Sequence, residues 1–115
     1  MLMPFKSNIV NGTTTASYAV ATTIDTRGCG YQGKTIIQIT NLSGTNTMYY
    51  KIDGYLADAS AGGQGGVAVH PATQTSIATS TTTTDTSVTQ PYAAVVISVE
   101  NNSGACAYQI QYITY

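Results

Sequence analysis

Two neighbouring stretches decide the fold: Tyr92–Glu100, YAAVVISVE, and Cys106–Tyr115, CAYQIQYITY. The first is apolar on both faces at Val95, Val96, Ile97 and Val99, the pattern of a central strand covered on two sides. The second alternates cleanly, with Cys106, Tyr108, Ile110 and Tyr112 on one face and Ala107, Gln109 and Gln111 on the other. Period-2 alternation of this kind belongs to a half-buried strand. Asn101-Asn102-Ser103-Gly104 between them reads as a hairpin turn, because Asn and Gly tolerate the backbone angles that tight turns need.

Working outward, Lys34–Asn41 (KTIIQITN) is a strand with Ile37 and Ile39 facing one way and Ile36 the other. Leu42-Ser43-Gly44-Thr45-Asn46 has hairpin length. Thr47–Tyr55 (TMYYKIDGY) returns, with Met48, Tyr50 and Ile52 on the apolar face and Tyr49, Lys51 and Asp53 opposite. Thr14–Ile24 alternates with Ala16, Tyr18, Val20 and Ile24 on one side, preceded by a turn at Asn11-Gly12. Ala57–Gly66 is an Ala/Gly/Ser loop. Val67–His70 and Gln74–Thr79 are short strands around Pro71, and the polar Thr81–Gln90 is an edge strand or an extended loop. About seven to eight strands with frequent turn signals predict an all-β antiparallel sandwich, immunoglobulin-like or jelly-roll, without substantial helix. Residues 1–12 form an N-terminal arm and 13–115 a single β-sandwich domain.

Composition supports this and removes several functions. Thr, Val, Ile and Tyr suit a pleated surface, whereas Glu occurs only at Glu100 and Leu only at Leu2, Leu42 and Leu56, too few good helix formers for long helices. Charged residues are 8% of the 115, and the net charge is −1. The chain has no basic footprint for nucleic acid and no polybasic patch for a membrane. No stretch approaches the roughly 18–20 apolar residues of a membrane helix. Its 43% hydrophobic content argues against disorder. The surface is therefore built of neutral hydroxyls and amides, and uncovered strand edges on such a surface point to assembly. Pro4 and Lys6 interrupt any signal-peptide pattern at the start, so we expect Met1 to be retained and no leader to be cleaved.

Gly28-Cys29-Gly30-Tyr31-Gln32-Gly33-Lys34-Thr35 matches the phosphate-binding pattern G-x-x-x-x-G-K-[ST]. That loop works only when a helix begins at the Lys, since the helix N-terminus supplies the field. Here a β-branched run follows, and Glu100 after VVISV is a poor stand-in for a magnesium-binding Asp, so a Gly-rich connection between strands is expected. His70, the only histidine, has no spacing that brings it to Cys29 or Cys106 and an Asp. The scattered carboxylates offer no glycosidase pair, and Asp53 with Asp58 makes a sparse Ca²⁺ loop. No catalytic, cofactor or metal residue is expected.

The candidate functional residues are those of an interface. Tyr18, Tyr50, Tyr108 and Tyr112 lie on apolar faces and read as core or sheet edge. Tyr49, Tyr55, Tyr92 and Tyr115 are expected at the surface, where tyrosine is enriched in protein contacts and can also stack on sugars. Met1, Leu2, Met3 and Phe5 make the arm's tip apolar, so it either folds onto its own sandwich or adds to a neighbour as a strand. Cys29 and Cys106 are two buried thiols or one disulfide, which would close a loop of about 77 residues and stabilise by roughly 4 kcal/mol. The sequons at Asn11, Asn41 and Asn101 are chance matches in so Ser- and Thr-rich a chain.

The segments TIIQITNLSGTNTMYYKIDGYL (35–56) and YAAVVISVENNSGACAYQIQYITY (92–115) resemble the small β-sandwich structural proteins of tailed bacteriophages, above all capsid decoration (cement) proteins. The resemblance lies in an I-x-x-x-N-x-S-G-x-x-x-x-x-Y-x-I-x-G hairpin and in a closing pair of strands around N-x-S-G. It covers about half the chain and carries no catalytic residue. It implies a non-enzymatic virion component, made in the host cytoplasm, that forms trimers and reinforces the shell by contacts with a major capsid protein. Two rival expectations stand beside it: an extracellular filament or pilus subunit at a cell surface, built by donor-strand exchange of the arm, and a carbohydrate-binding module.

Overall fold

In the computed structural model, residues 6–27, 33–56, 67–69 and 75–115 are described. They form nine strands: β1 (Lys6–Thr13), β2 (Ala19–Asp25), β3 (Thr35–Asn41), β4 (Met48–Tyr55), β5 (Val67–Ala68), β6 (Thr75–Ile77), β7 (Thr82–Val88), β8 (Ala94–Asn101) and β9 (Ala107–Thr114). Seven are full strands, while β5 and β6 are brief. No helix occurs among the described residues, and the all-β antiparallel sandwich expected from the alternation is what forms.

The first sheet runs β1-β9-β3-β7; the second runs β2-β8-β4, with β5 and β6 both pairing β4. All these pairings are antiparallel. Chain-distant strands thus lie side by side: β1 with β9, β2 with β8, β3 with β7, β4 with β6. A long hairpin rolled into two layers has this nesting, so of the two sandwich types the jelly-roll is the one adopted.

The strand faces follow the side-chain period. Ile37, Ile39, Tyr108 and Ile110 of the first sheet meet Ile24, Met48, Tyr50, Ile52, Val95, Ile97 and Val99 of the second, all buried. β8 is buried along its whole length, as a strand flanked by β2 and β4 should be. Its inward residues fill the core, while Val96, Ser98 and Glu100 lie on the outer face between neighbouring strands.

Three local readings change. First, Leu42–Asn46 and Asn101–Gly104 are not hairpin turns, because β3 and β4 belong to different sheets, and so do β8 and β9. They are arches. The buried Asn41 shapes the first: its amide donates to the carbonyls of Asn46 (2.9 Å) and Ile77 (3.1 Å) and its oxygen accepts the Ser43 N–H (2.9 Å). Asn101 anchors the second by donating to Thr14 Oγ1 at 2.9 Å. Second, Asn11-Gly12 is no turn but part of β1. The glycine is there for space: a Cβ on Gly12 would sit 2.4 Å from the Tyr108 hydroxyl.

Third, β2 starts at Ala19, not Thr14, and a bulge between Val20 and Thr22 shifts its register. One extra residue flips the preceding side chain to the other face, so Val20 is 62% exposed while Ile24 is buried. The strand expected in place of a phosphate-loop helix does form: Thr35 opens β3 and bonds Thr114 Oγ1 at 2.9 Å. Gly33 before it holds φ +68, a left-handed angle that favours glycine. The polar Thr81–Gln90 stretch contains an edge strand, β7.

Candidate assembly surfaces

Charge is unevenly divided between the two outer faces. Cross-strand register puts Ile9, Gln111, Gln38 and Thr84 in one row across the first sheet, with Asn11, Gln109, Thr40 and Thr82 in the next. Ser7, Ile113 and Ile36 complete this face, and no charged residue lies in these rows. The second sheet's outer face carries Lys51, Asp53 and Glu100. Lys51 Nζ stands 4.8 Å from the centre of the Tyr18 ring, a cation–π arrangement. Burial, then the nearby Glu100 and Tyr49, push the Tyr18 phenol above its ordinary range.

The edges differ as well. In the second sheet the β2 edge is bulged and the opposite margin is made of the short β5 and β6, both devices that blunt an edge. In the first sheet β1 pairs β9 without a break from Lys6↔Thr114 to Thr13↔Ala107. Its other side has no partner strand among the described residues. Only Lys6, at its start, is charged, and its ammonium is turned to the carbonyls of Asp25 (2.8 Å) and Arg27 (3.0 Å). The Ile9 N–H is taken by its neighbour's side chain, Asn8 Oδ1, at 2.8 Å. Alternation of ladder and non-ladder positions then turns the amides of Ser7 and Asn11 outward too. Close to Lys6, the Arg27 guanidinium, and then its backbone N–H, hold the Asp25 carboxyl well below the usual carboxylate range.

The other edge, β7, is tied to the opposite sheet. The Tyr50 hydroxyl, from β4, donates to Asp85 Oδ2 at 2.8 Å, and Asp85 Oδ1 accepts the Ser87 N–H at 2.9 Å and the Ser87 hydroxyl. Tyr50 and Asp85 are 1% and 5% exposed. A carboxylate can be buried there because donors surround it. Burial, followed by the bond to Asp85 and its charge, pushes the Tyr50 phenol far above its ordinary value.

Of the expected interface tyrosines, Tyr49, Tyr55, Tyr92 and Tyr115 are all half-buried. Tyr49 and Tyr55 lie on the outer side of β4. The Tyr92 ring covers Gly54, where a Cβ would stand 2.5 Å from it, and its carbonyl accepts the Thr26 hydroxyl. Tyr115 exchanges two backbone bonds with Lys34. These tyrosines do not converge on one patch. Met1, Leu2, Met3 and Phe5 lie outside the described residues, as do Cys29, Asp58 and His70. Cys106 is a buried thiol directed at the Asn46 carbonyl, 3.4 Å away. No group of three His, Cys, Asp or Glu among the described residues is placed to hold a metal ion. Sequence reasoning missed β1 as a continuous edge. Its inward signal is faint because Val10, the apolar residue of its inner face, is flanked there by Asn8 and Gly12.

No protein-family model matches the chain, and no curated protein matches it in sequence. Among solved structures it is similar to a protein described under "Bacillus endospore appendages form a novel family of disulfide-linked pili": 12% identity over 96% of this chain and 86% of that one, TM-score 0.52. A second likeness is to a chain of the T13 IBDV viral particle, at 10% identity over 96% of this chain and 31% of that one, with a TM-score of 0.44. The pilus likeness is one of fold, a sandwich that spans nearly the whole of both chains.

Proposed function

We propose that this chain is a structural subunit that acts by self-association, as the repeating unit of an extracellular filament. The carrying observation is β1: eight residues long, unbulged, almost uncharged and, among the described residues, without a partner strand along one side. Folded proteins usually blunt such an edge because it templates pairing with another chain. Leaving it open makes sense when pairing is the purpose. An edge strand of a neighbouring copy would complete β1's backbone hydrogen bonds by β-augmentation. Joining one edge to a different one is a head-to-tail contact, and repeated it generates rings or helical filaments. The scarcity of charge spares such contacts the larger cost of desolvating ions, and the fold shared with a spore-appendage pilus protein agrees with the reading.

The test uses Ile9→Pro and Thr82→Pro. The Ile9 N–H bonds a side chain, not β9, and Thr82 neighbours Thr81, whose carbonyl already accepts from Asn41, so its own N–H faces outward. Proline at either position removes no ladder bond. The unaltered chain should form rods in electron micrographs, and both variants should stay folded by circular dichroism but small by sedimentation. An unaltered chain that stays monomeric at high concentration refutes the proposal.

Capsid decoration is the second reading, favoured by the two N-x-S-G segments. They meet at one end of the sandwich, where Asn46 of the first arch donates to the Ala105 carbonyl of the second at 3.4 Å. A band of this chain in purified virions, with no rods from the isolated protein, would select it.

A further inference from the structure

We infer that the outer face of the first sheet binds an uncharged polysaccharide chain, laid across the strands. Its middle is an open trough of about 650 Å³ lined by Ile9, Ile36, Gln38, Thr84, Gln111 and Ile113, among others. The register sets Ile9, Gln111, Gln38 and Thr84 opposite one another, one per strand. Strands lie about 4.8 Å apart, close to the length of one pyranose unit, so successive sugars would meet successive strands.

The chemistry of the lining selects the ligand. Its polar groups are neutral amides and hydroxyls, which donate and accept like sugar hydroxyls. They are also held in place. Gln111 donates to Gln109 Oε1 (3.1 Å), Gln109 to Asn11 Oδ1 (3.2 Å), and Gln38 to Thr84 Oγ1 (3.4 Å). Each of these bonds uses one N–H of a two-donor amide, which leaves the second N–H and the carbonyl of Gln38 and Gln111 for a ligand. Ile9, 55% exposed, with Ile36 and Ile113 beside it, offers apolar surface to the C–H faces of the rings. None of the described residues that line the trough is a cation to attract a phosphate, sulfate or uronate. Nor does it suit a second copy meeting it face to face, since two troughs brought together enclose a void. Residues of β1 form one rim of the trough, but Gln38 and Gln111 lie on the inner strands β3 and β9, so replacing them leaves the β1 edge unaltered and tests the face apart from assembly.

Saturation-transfer NMR on the full chain tests this in monomer or assembly alike. The probes are cellohexaose, maltohexaose and chitohexaose, with oligogalacturonate as an acidic comparison and the peptide Met-Leu-Met-Pro-Phe as a rival extended occupant. At least one neutral hexaose should receive saturation, and Gln38→Ala with Gln111→Ala should weaken its binding about tenfold or more. Silence from all three neutral sugars, equal binding of oligogalacturonate, unchanged affinity in the double variant, or binding of the peptide alone would each overturn the inference.

Discussion

Replacing Tyr50 by Phe isolates the strut between the two sheets. The ring stays, so the buried volume between β4 and the core is nearly preserved, and what is lost is one hydroxyl donating to Asp85 Oδ2 at 2.8 Å. Hydrogen bonds to an ionised partner contribute about 1.5–3 kcal/mol. With both residues almost fully buried, solvent replaces little of that, and a loss of about 2 kcal/mol is expected at neutral pH. For a chain of this size each kcal/mol moves the melting temperature by roughly 4 °C, so the midpoint should fall by about 8 °C. Urea titration followed by circular dichroism gives the free energy directly. A double-mutant cycle with Asp85→Asn separates the pair from its surroundings. Tyr49→Phe, on the outer face, serves as control and should change stability by less than about 0.5 kcal/mol. If Tyr50→Phe also stays within about 0.5 kcal/mol of the unaltered chain, or its coupling to Asp85 vanishes, the strut does not hold β7 to the second sheet.

Ile97, fully buried in the middle of β8, should cost about 2–5 kcal/mol when cut to Ala, through lost burial and the cavity left behind; chemical denaturation checks it, and a smaller loss would mean that the core collapses around the gap. Alkaline pH should destabilise the fold. Burial raises the phenols of Tyr18, Tyr50 and Tyr108 above the ordinary value of 10.0, so the unfolded chain releases these protons first. Their stabilisation is complete below pH 10 or so and is lost as pH climbs through the folded values. Denaturation midpoints across that range should fall, and less steeply in Tyr50→Phe. Cys106, fully buried, should react with iodoacetamide only on unfolding; alkylation by the native protein at a peptide-like rate would contradict its placement.

The inward faces of β3, β4 and β9 were readable from residues alone. Met48, Tyr50 and Ile52 against Tyr49, Lys51 and Asp53 came out as drawn, because a side chain's face depends only on the parity of its position along a strand. The misreadings share one origin. Asn41 and Asn101 look like hairpin residues, yet each is buried and bends its strand across to the other sheet. Gly12 looks like a turn residue, yet it makes room for Tyr108. In each case the deciding partner lies far along the chain. The candidate surfaces were less legible still: low charge announced contact as the mode of action, but the tyrosines expected to carry it are half-buried and dispersed.

The amino-acid sequence by itself determined that this protein is a β-sandwich with a neutral exterior, since periodicity and composition act residue by residue. Only the tertiary structure decided which strands became neighbours, that β1 has no second partner strand among the described residues, and that the outer rows of the first sheet hold no charge. The backbone groups that join strands are chemically the same at nearly every residue, so pairing is chosen by the collective packing of two faces and not by any local signal.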